Sequence, residues 1–305
     1  MKNYLPNILI TGSDGQLGNA LRTHAGARDF HITACSRDNL DITDPASIDQ
    51  AIKQYTPDFI VNTAAYTAVD TAEKEIDQAV SVNHLGAQHL AQACAAHKIP
   101  LIHISTDYVF DGDKVTPYLE EDAVNPVNLY GKSKYWGEQA VREYCEQHLI
   151  LRVSGVFSEF GHNFLKTILR LASERKELNI VADQFTCPTY AGNIAAVIYS
   201  LIKQPLKSGI YHYCDNPPVS WHEFATAIIQ QAKKQRTLLV EKINAITTAE
   251  YPTLAKRPVY SVLDCNKIKR DYDITQAEWA KQLDCLVVKN TTRNDNTTIR
   301  HKETP

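Results

Sequence analysis

Tyr130 and Lys134 stand four residues apart in Tyr130-Gly131-Lys132-Ser133-Lys134, on a segment with helical periodicity through Tyr144, so both side chains can share one helix face. A phenol beside an ammonium can donate a proton. Free tyrosine titrates near ~10, and a neighbouring positive charge favours the phenolate, which brings the group closer to work at neutral pH. Lys134 can also bond the ribose of a nicotinamide cofactor. Leu101-Ile102-His103-Ile104-Ser105-Thr106-Asp107 reads as a buried strand ending in hydroxyls, where Thr106 can bond the same substrate oxygen as Tyr130. Alone, the Tyr-x-x-x-Lys spacing fits a surface helix pair equally well, and Thr106 fits a turn cap. The surrounding motifs decide.

Thr11-Gly12-Ser13-Asp14-Gly15-Gln16-Leu17-Gly18 follows an apolar run and opens a helical segment, the context of a dinucleotide site. Gly12 suits a tight turn, Gly15 a close approach of backbone to a pyrophosphate, and Gly18 close helix–strand packing, while free N–H groups at the helix start receive an anion. The spacing is GxxGxxG rather than GxGxxG, and three glycines alone also describe an ordinary turn. The second strand ends at Ala34-Cys35-Ser36-Arg37, where an NAD site would present a carboxylate to the ribose. Ser36 and Arg37 there favour a 2′-phosphate, hence NADPH with NADH as the alternative, unless Arg37 is simply a solvated loop charge. Asp41 and Ile42 follow and are expected to face the adenine. Asn62-Thr63-Ala64-Ala65 closes another strand beside this turn.

These residues need a parallel sheet to hold them. Ile8 to Thr11, His31 to Cys35, Phe59 to Asn62, Leu101 to Ser105 and Leu149 to Val153 read as strands, with helical segments such as Ala46 to Gln54 and Gln78 to His97 between them. The expected fold is α/β, a Rossmann-type doubly wound parallel sheet with ligands at the strand C-terminal ends and a smaller, discontinuous α/β substrate lobe. Helices are expected at Asn163 to Glu174, Ala191 to Lys203 and Trp221 to Lys234, and a further strand at Gly209 to Tyr213. Residues 1–157 and about 187–215 form the expected dinucleotide domain, about 158–186 and 216–288 the substrate lobe. The polar stretch 289–305 is expected to be a disordered tail.

Composition excludes several classes. The chain of 305 residues carries 32 Lys+Arg against 35 Asp+Glu, so no broad positive field would hold a nucleic acid. No run approaches the ~20 apolar residues of a membrane span. The opening run reads as a strand rather than a leader, which makes the cytoplasm the default compartment. Seven cysteines (Cys35, Cys94, Cys145, Cys187, Cys214, Cys265 and Cys285) are scattered singly, as free thiols would be. No His/Cys/carboxylate spacing suggests a metal site.

From Ile8 to Leu286 the chain resembles the dTDP-4-dehydrorhamnose reductase family of extended short-chain dehydrogenases/reductases. The likeness is carried by Val61-Asn62-Thr63-Ala64-Ala65-Tyr66-Thr67-Ala68-Val69-Asp70, by Ser105-Thr106-Asp107-Tyr108-Val109-Phe110, and by Asp183-Gln184-Phe185-Thr186-Cys187-Pro188-Thr189. The resemblance implies NAD(P)H-dependent reduction of the C4 ketone of a dTDP-4-dehydro-6-deoxy sugar for surface glycans. Tyr130 would be the proton donor, Thr106 would polarise the carbonyl, and Lys134 would hold the ribose. Gly15, Gln16 and Leu17 would touch the cofactor pyrophosphate, and Ala65, Tyr66 and Thr67 would line the nicotinamide side. Val69 and Asp107 would border the sugar, and Asn163, Gln184, Phe185 and Arg257 would hold the nucleotide diphosphate. Some relatives are associated with Mg2+, for which this sequence offers no assignable ligands, and a homodimer is compatible with the resemblance.

One position departs from the family. Its Arg-Thr-Ser-Trp segment, whose tryptophan packs on the hexose, reads Arg152-Val153-Ser154-Gly155 here. The missing indole either enlarges the sugar pocket or is replaced by a neighbouring aromatic. A sister activity such as dTDP-dihydrostreptose synthase therefore stays open, as does a non-catalytic regulatory subunit of the methionine adenosyltransferase type, although Tyr130, Lys134 and Thr106 together argue against the latter.

Overall fold

Ile8, Leu9 and Ile10 are all fully buried along strand β1 (Asn7–Thr11), the pattern of a strand covered by helices on both faces. In this computed structural model, which describes residues 5–284, 286 and 287, β1 lies within a six-stranded parallel sheet. Its other members are β2 (His31–Cys35), β3 (Phe59–Asn62), β4 (Leu101–Thr106), β5 (His148–Val153) and the edge strand Gly209–Tyr213. The order across the sheet is edge strand, β5, β4, β3, β1, β2. The chain leaves β1 toward β2 and then returns to β3 on the opposite side of β1, so the direction of winding reverses there. The crevice outside the C-terminal ends of β1 and β3 is where such sheets bind ligands.

Local chemistry starts the helices that flank this crevice. Helix α1 (Gln16–Thr23) begins at Gly15 with no side-chain cap, which leaves its first N–H groups free for a ligand. Gly12 has a φ of +66°, and a Cβ there would come within 2.6 Å of the Ala64 backbone; one on Gly18 would meet the Gly12 carbonyl at 2.5 Å. Gly12 makes the tight turn, while Gly18 lets the helix pack on that turn, on Gly12 and Ser13, rather than on a strand. Helix α2 (Pro45–Tyr55) is capped by Asp44, which accepts from the Ala46 amide, with Pro45 at its first position. The helix Leu129–Tyr144 is capped by Asn128, which accepts from Gly131 at 2.8 Å.

Apolar packing forms three groups. One face of the sheet packs on α1 and the helix Ala191–Ile202. The other face packs on α2 and the helix Gly86–His97. A third cluster joins helix Phe164–Glu174 to helix Trp221–Lys233 and to the parallel strand pair Glu177–Val181 and Lys242–Ile246. Trp221–Lys233 starts with a capping box, Ser220 bonding the Glu223 amide and Glu223 reaching back to Ser220.

The expected helix Gln78 to His97 begins at Ile76 and contains a π-helical turn, Ser81–Leu85, between α-helical segments Ile76–Val80 and Gly86–His97. Among the described residues no helix is long and apolar enough to cross a membrane, and Cys35, Cys94, Cys145, Cys187, Cys214 and Cys265 are buried free thiols. The stretch 289–305 and Cys285 lie outside the described residues.

Candidate active site

A cavity of about 580 Å³ opens at the winding reversal, lined by segments from the ends of four strands. Gly15, Gln16 and Leu17 enter it after β1, Thr63, Ala65, Thr67 and Val69 after β3, Thr106 and Asp107 after β4, and Gly155 after β5. Tyr130 and Lys134 come from the first two turns of the helix Leu129–Tyr144, and Asn163 from the loop before the next helix. The expected proton donor, lysine and threonine therefore face the same space as the glycine-rich turn, although they come from separate elements.

Thr106 has two roles at once. Its Oγ1 accepts from the Tyr108 amide at 3.2 Å, capping the turn that follows β4, and donates to Asp107 at 3.0 Å. It also hydrogen-bonds the Tyr130 side chain. Ser154 holds the other Asp107 oxygen at 2.8 Å, and burial pushes this carboxyl upward despite the three hydroxyls around it.

The state of Tyr130 corrects the expectation of a lowered phenol. Burial pushes Tyr130 up to about 12, offset in part by the Thr106 hydrogen bond and reinforced by the Asp107 charge. The Lys134 Nζ donates to the Ile104 carbonyl at 2.7 Å. The physical result is a tyrosine held protonated, the state from which an acid acts. Burial takes Lys134 itself down to about 8, opposed by the charge of Glu138 one turn along the helix.

The cofactor-side residues divide. Gln16 accepts from Ser158 at 2.9 Å and from Asn163 at 2.8 Å, tying the start of α1 to the loop that carries Asn163. Ser36 and Arg37 lie on an exposed lip after β2, outside the cavity, with the Arg37 side chain 68% exposed and 3.4 Å from Asp41. Asp41 also accepts from Thr43, and these bonds keep it below its ordinary range although burial opposes them. The Ile42 side chain does not face outward: it is buried in the core against Gly86, whose lack of a Cβ makes room for it. Ala64 lies against Gly12, and the Tyr66 hydroxyl donates to Glu75 at 2.9 Å.

Gln184 and Arg257 line a second cavity, of about 660 Å³, which shares Tyr108 and Trp221 with the first. Gln184 donates to Thr248 at 3.0 Å. Arg257 is already paired with Asp70 through two bonds of 3.0 and 2.8 Å. Phe185 lines neither cavity and is 40% exposed. Gly155 has a φ of +54°, and a Cβ there would lie 2.8 Å from the Cys187 carbonyl, so an indole would not fit this backbone without movement.

Several residues that shape the site were not anticipated. Trp221 occupies the junction of the two cavities, its ring tilted by 48° against Phe164 with centroids 4.7 Å apart, and Tyr108 meets Tyr130 edge to face at 5.8 Å. Asn83, within the π-turn, accepts from the Tyr66 amide and donates to both the Tyr66 carbonyl and Ser133, so it pins the segment after β3 to the helix of Tyr130. π-Turns recur at functional sites, and a polar Asn83 between Val82 and Leu85 was the available signal. Among the described residues no group of three or more His, Cys, Asp or Glu could hold a metal ion.

Residues 6–292 match the family described as RmlD substrate binding domain. A dTDP-4-dehydrorhamnose reductase of Aggregatibacter actinomycetemcomitans is 44% identical over 286 residues, covering 92% of this chain and 97% of its own. One from Sinorhizobium fredii is 41% identical, with 92% and 96% covered. The crystal structure of the Bacillus anthracis dTDP-4-dehydrorhamnose reductase in complex with NADP superposes with a TM-score of 0.88 at 36% identity, over 94% of this chain and 100% of that one.

Proposed function

Since the chain belongs to the RmlD family, that of the dTDP-4-dehydrorhamnose reductases, we propose that it reduces the C4 ketone of dTDP-4-dehydro-L-rhamnose to dTDP-L-rhamnose with NADPH. The observation that carries this reading is the convergence of Thr106, Tyr130 and Lys134 with the glycine-rich turn on one cavity.

NADPH supplies the hydride. The chain supplies its seat: uncapped amides at the start of α1 with Gly12, Gly15, Gln16, Leu17 and Gly18 for the pyrophosphate, and Ala64, Ala65, Tyr66 and Thr67 for the nicotinamide end. Arg37 and Ser36, with Asp41 and the Ile42 backbone behind them, border the adenosine ribose, where the exposed guanidinium, held only by Asp41, favours a 2′-phosphate. Lys134 holds the nicotinamide ribose.

Thr106 and Tyr130 grip the ketone oxygen. Tyr130 gives its proton to the alkoxide as charge develops, and Lys134 stabilises the phenolate left behind. Val69, Asp107 and Gly155 border the sugar, with Trp221 providing an aromatic wall where the family residue is replaced by Gly155. Asn163, Gln184 and Arg257 bind the nucleotide diphosphate, while Phe185, whose backbone N–H and C=O are already paired with Val259 and Ser261, stands outside both cavities. We assign 1–157 and about 187–215 to the dinucleotide and about 158–186 and 216–288 to the sugar nucleotide, except that Val262, Leu263, Ile268 and Tyr272 pack with the sheet and Phe157 with the lobe. Free buried thiols agree with a cytoplasmic enzyme.

The test is NADPH consumption on addition of dTDP-4-dehydro-L-rhamnose, with the product identified by NMR. Formation of dTDP-L-rhamnose supports the reading; a different C4 configuration or sugar would assign the protein to a sister reductase.

A further inference from the structure

Glu138, Arg152 and Ser105 form a buried polar cluster that the reaction as described does not use. Tyr130, Lys134 and Glu138 follow one another at intervals of four along the helix Leu129–Tyr144, so they share the face turned toward β4 and β5. Arg152, on β5, grips the Glu138 carboxylate with two parallel bonds, Nε to Oε1 at 2.8 Å and Nη2 to Oε2 at 2.7 Å. Ser105, on β4, donates to Oε1. Both members of the ion pair are 1% exposed.

Such a pair is a poor way to stabilise a fold. Removing two charges from water is expensive, and apolar side chains of similar volume commonly stabilise as well or better. What surrounds the pair indicates another use. Ser105 lines the active cavity and sits between Thr106, which meets the substrate oxygen, and Ile104, whose carbonyl receives the Lys134 ammonium. The carboxylate is thus fixed from two strands at the one place where it lies a single turn from Lys134. Behind it, Arg152 Nη1 is 3.4 Å from Nε2 of His212, and Glu120 accepts from the His212 amide at 3.0 Å.

We propose that Glu138, locked in place by Arg152 and Ser105, is a positioning residue that keeps the buried Lys134 ammonium charged and docked against β4. The inference rests on the reading of Tyr130, Lys134 and Thr106 given above. Lys134 is surrounded by few groups that can compete for this role. Tyr130 and Glu138 come from its own helix, His103 from β4, and Arg152 and His212 stand behind Glu138 on β5 and the edge strand. His103 and His212 are neutral, driven down mainly by burial, and Asp107, at the end of β4, acts on Tyr130 rather than on Lys134. Among the described residues, Glu138 is the carboxylate whose charge opposes the effect of burial on the lysine.

The experiment is a pH titration of full-length protein carrying 13C at the lysine ε-carbons, with the Lys134 resonance assigned by its loss in Lys134→Ala. Glu138→Gln keeps the shape of the side chain and removes its charge; Glu138→Gln with Arg152→Gln removes both charges and leaves no unpaired guanidinium if the single variant fails to fold. The Lys134 midpoint is expected to fall by about one pH unit or more in the folded variants. A midpoint that stays at the wild-type value in a folded variant overturns the proposal, however much the melting temperature has dropped. The titration needs no turnover, so failure of the sugar substrate would count against the proposed function and not against this assignment.

Discussion

Asp70 and Arg257, 187 residues apart in sequence, meet in a two-pronged ion pair of 2.8 and 3.0 Å that joins the segment after β3 to the loop closing the second cavity. The guanidinium holds the Asp70 carboxyl below its ordinary range, and the Ala255 amide adds a third bond at 3.1 Å. Under the proposed function, an arriving diphosphate would meet an arginine that Asp70 already orients and partly neutralises. Asp70 acts as its holder.

Replacement of Arg257 by Ala removes a charged hydrogen-bond donor from the proposed diphosphate site. KM for the sugar nucleotide should rise by roughly 10- to 100-fold, the scale of one lost charge-assisted bond, with NADPH affinity unchanged. Steady-state kinetics together with a fluorescence titration of NADPH separates the two effects. An equal loss of NADPH binding would place Arg257 elsewhere in the mechanism.

Tyr130→Phe keeps the ring, and with it the edge-to-face contact with Tyr108, while deleting the acid. Turnover should fall by about 100- to 10,000-fold, the usual range for a general acid. NADPH binding should stay near the wild-type value. A variant with normal turnover would remove Tyr130 from the chemistry.

The pH profile follows from Lys134. Burial brings its folded-state value to about 8 from an ordinary 10.5, so the charged lysine is present below that pH and disappears above it. Ketone reduction, read as kcat/KM, should be level below about pH 8 and decline above it. The linkage to stability has the opposite sign. Between about 8 and 10.5 the unfolded chain holds this proton more tightly, so the lysine's contribution to stability improves as pH rises through that window. Lys134→Met should accordingly be inactive yet melt higher than wild type at pH 7, with the difference shrinking toward pH 10.5.

Arg37 tests the cofactor preference. Its side chain is exposed and held only by a 3.4 Å contact with Asp41, so its removal should not disturb the fold. Arg37→Ala should weaken NADPH binding by about tenfold or more while leaving NADH nearly unaffected. Equal affinities for the two cofactors in the wild type would contradict the role.

The parallel sheet was legible because its central strands, β1, β3, β4 and β5, are buried on both faces. His31–Cys35, Phe59–Asn62 and Gly209–Tyr213 have the bounds that their apolar, β-branched runs suggest. The glycine turn was legible for a similar reason, since only glycine permits the approaches seen at Gly12 and Gly18. What depends on where a long side chain points was not legible. The Asp70–Arg257 pair joins distant segments, the Tyr130 acidity turns on the burial of its phenol, and Ile42 faces inward because Gly86 leaves space for it. Trp221 read as the first residue of an amphipathic helix, and nothing in helical periodicity marks that position as a wall shared by two cavities.

The central claim is delivery of hydride to C4 of a dTDP-keto sugar in the cavity of Tyr130, and isotope transfer tests it most directly. Wild-type protein is incubated with dTDP-4-dehydro-L-rhamnose and NADPH deuterated at the transferable position, and the product is read by NMR. The account predicts dTDP-L-rhamnose with deuterium at C4 and loss of that product in Tyr130→Phe. Deuterium at any other carbon, or no transfer by a protein that binds NADPH tightly, would contradict it.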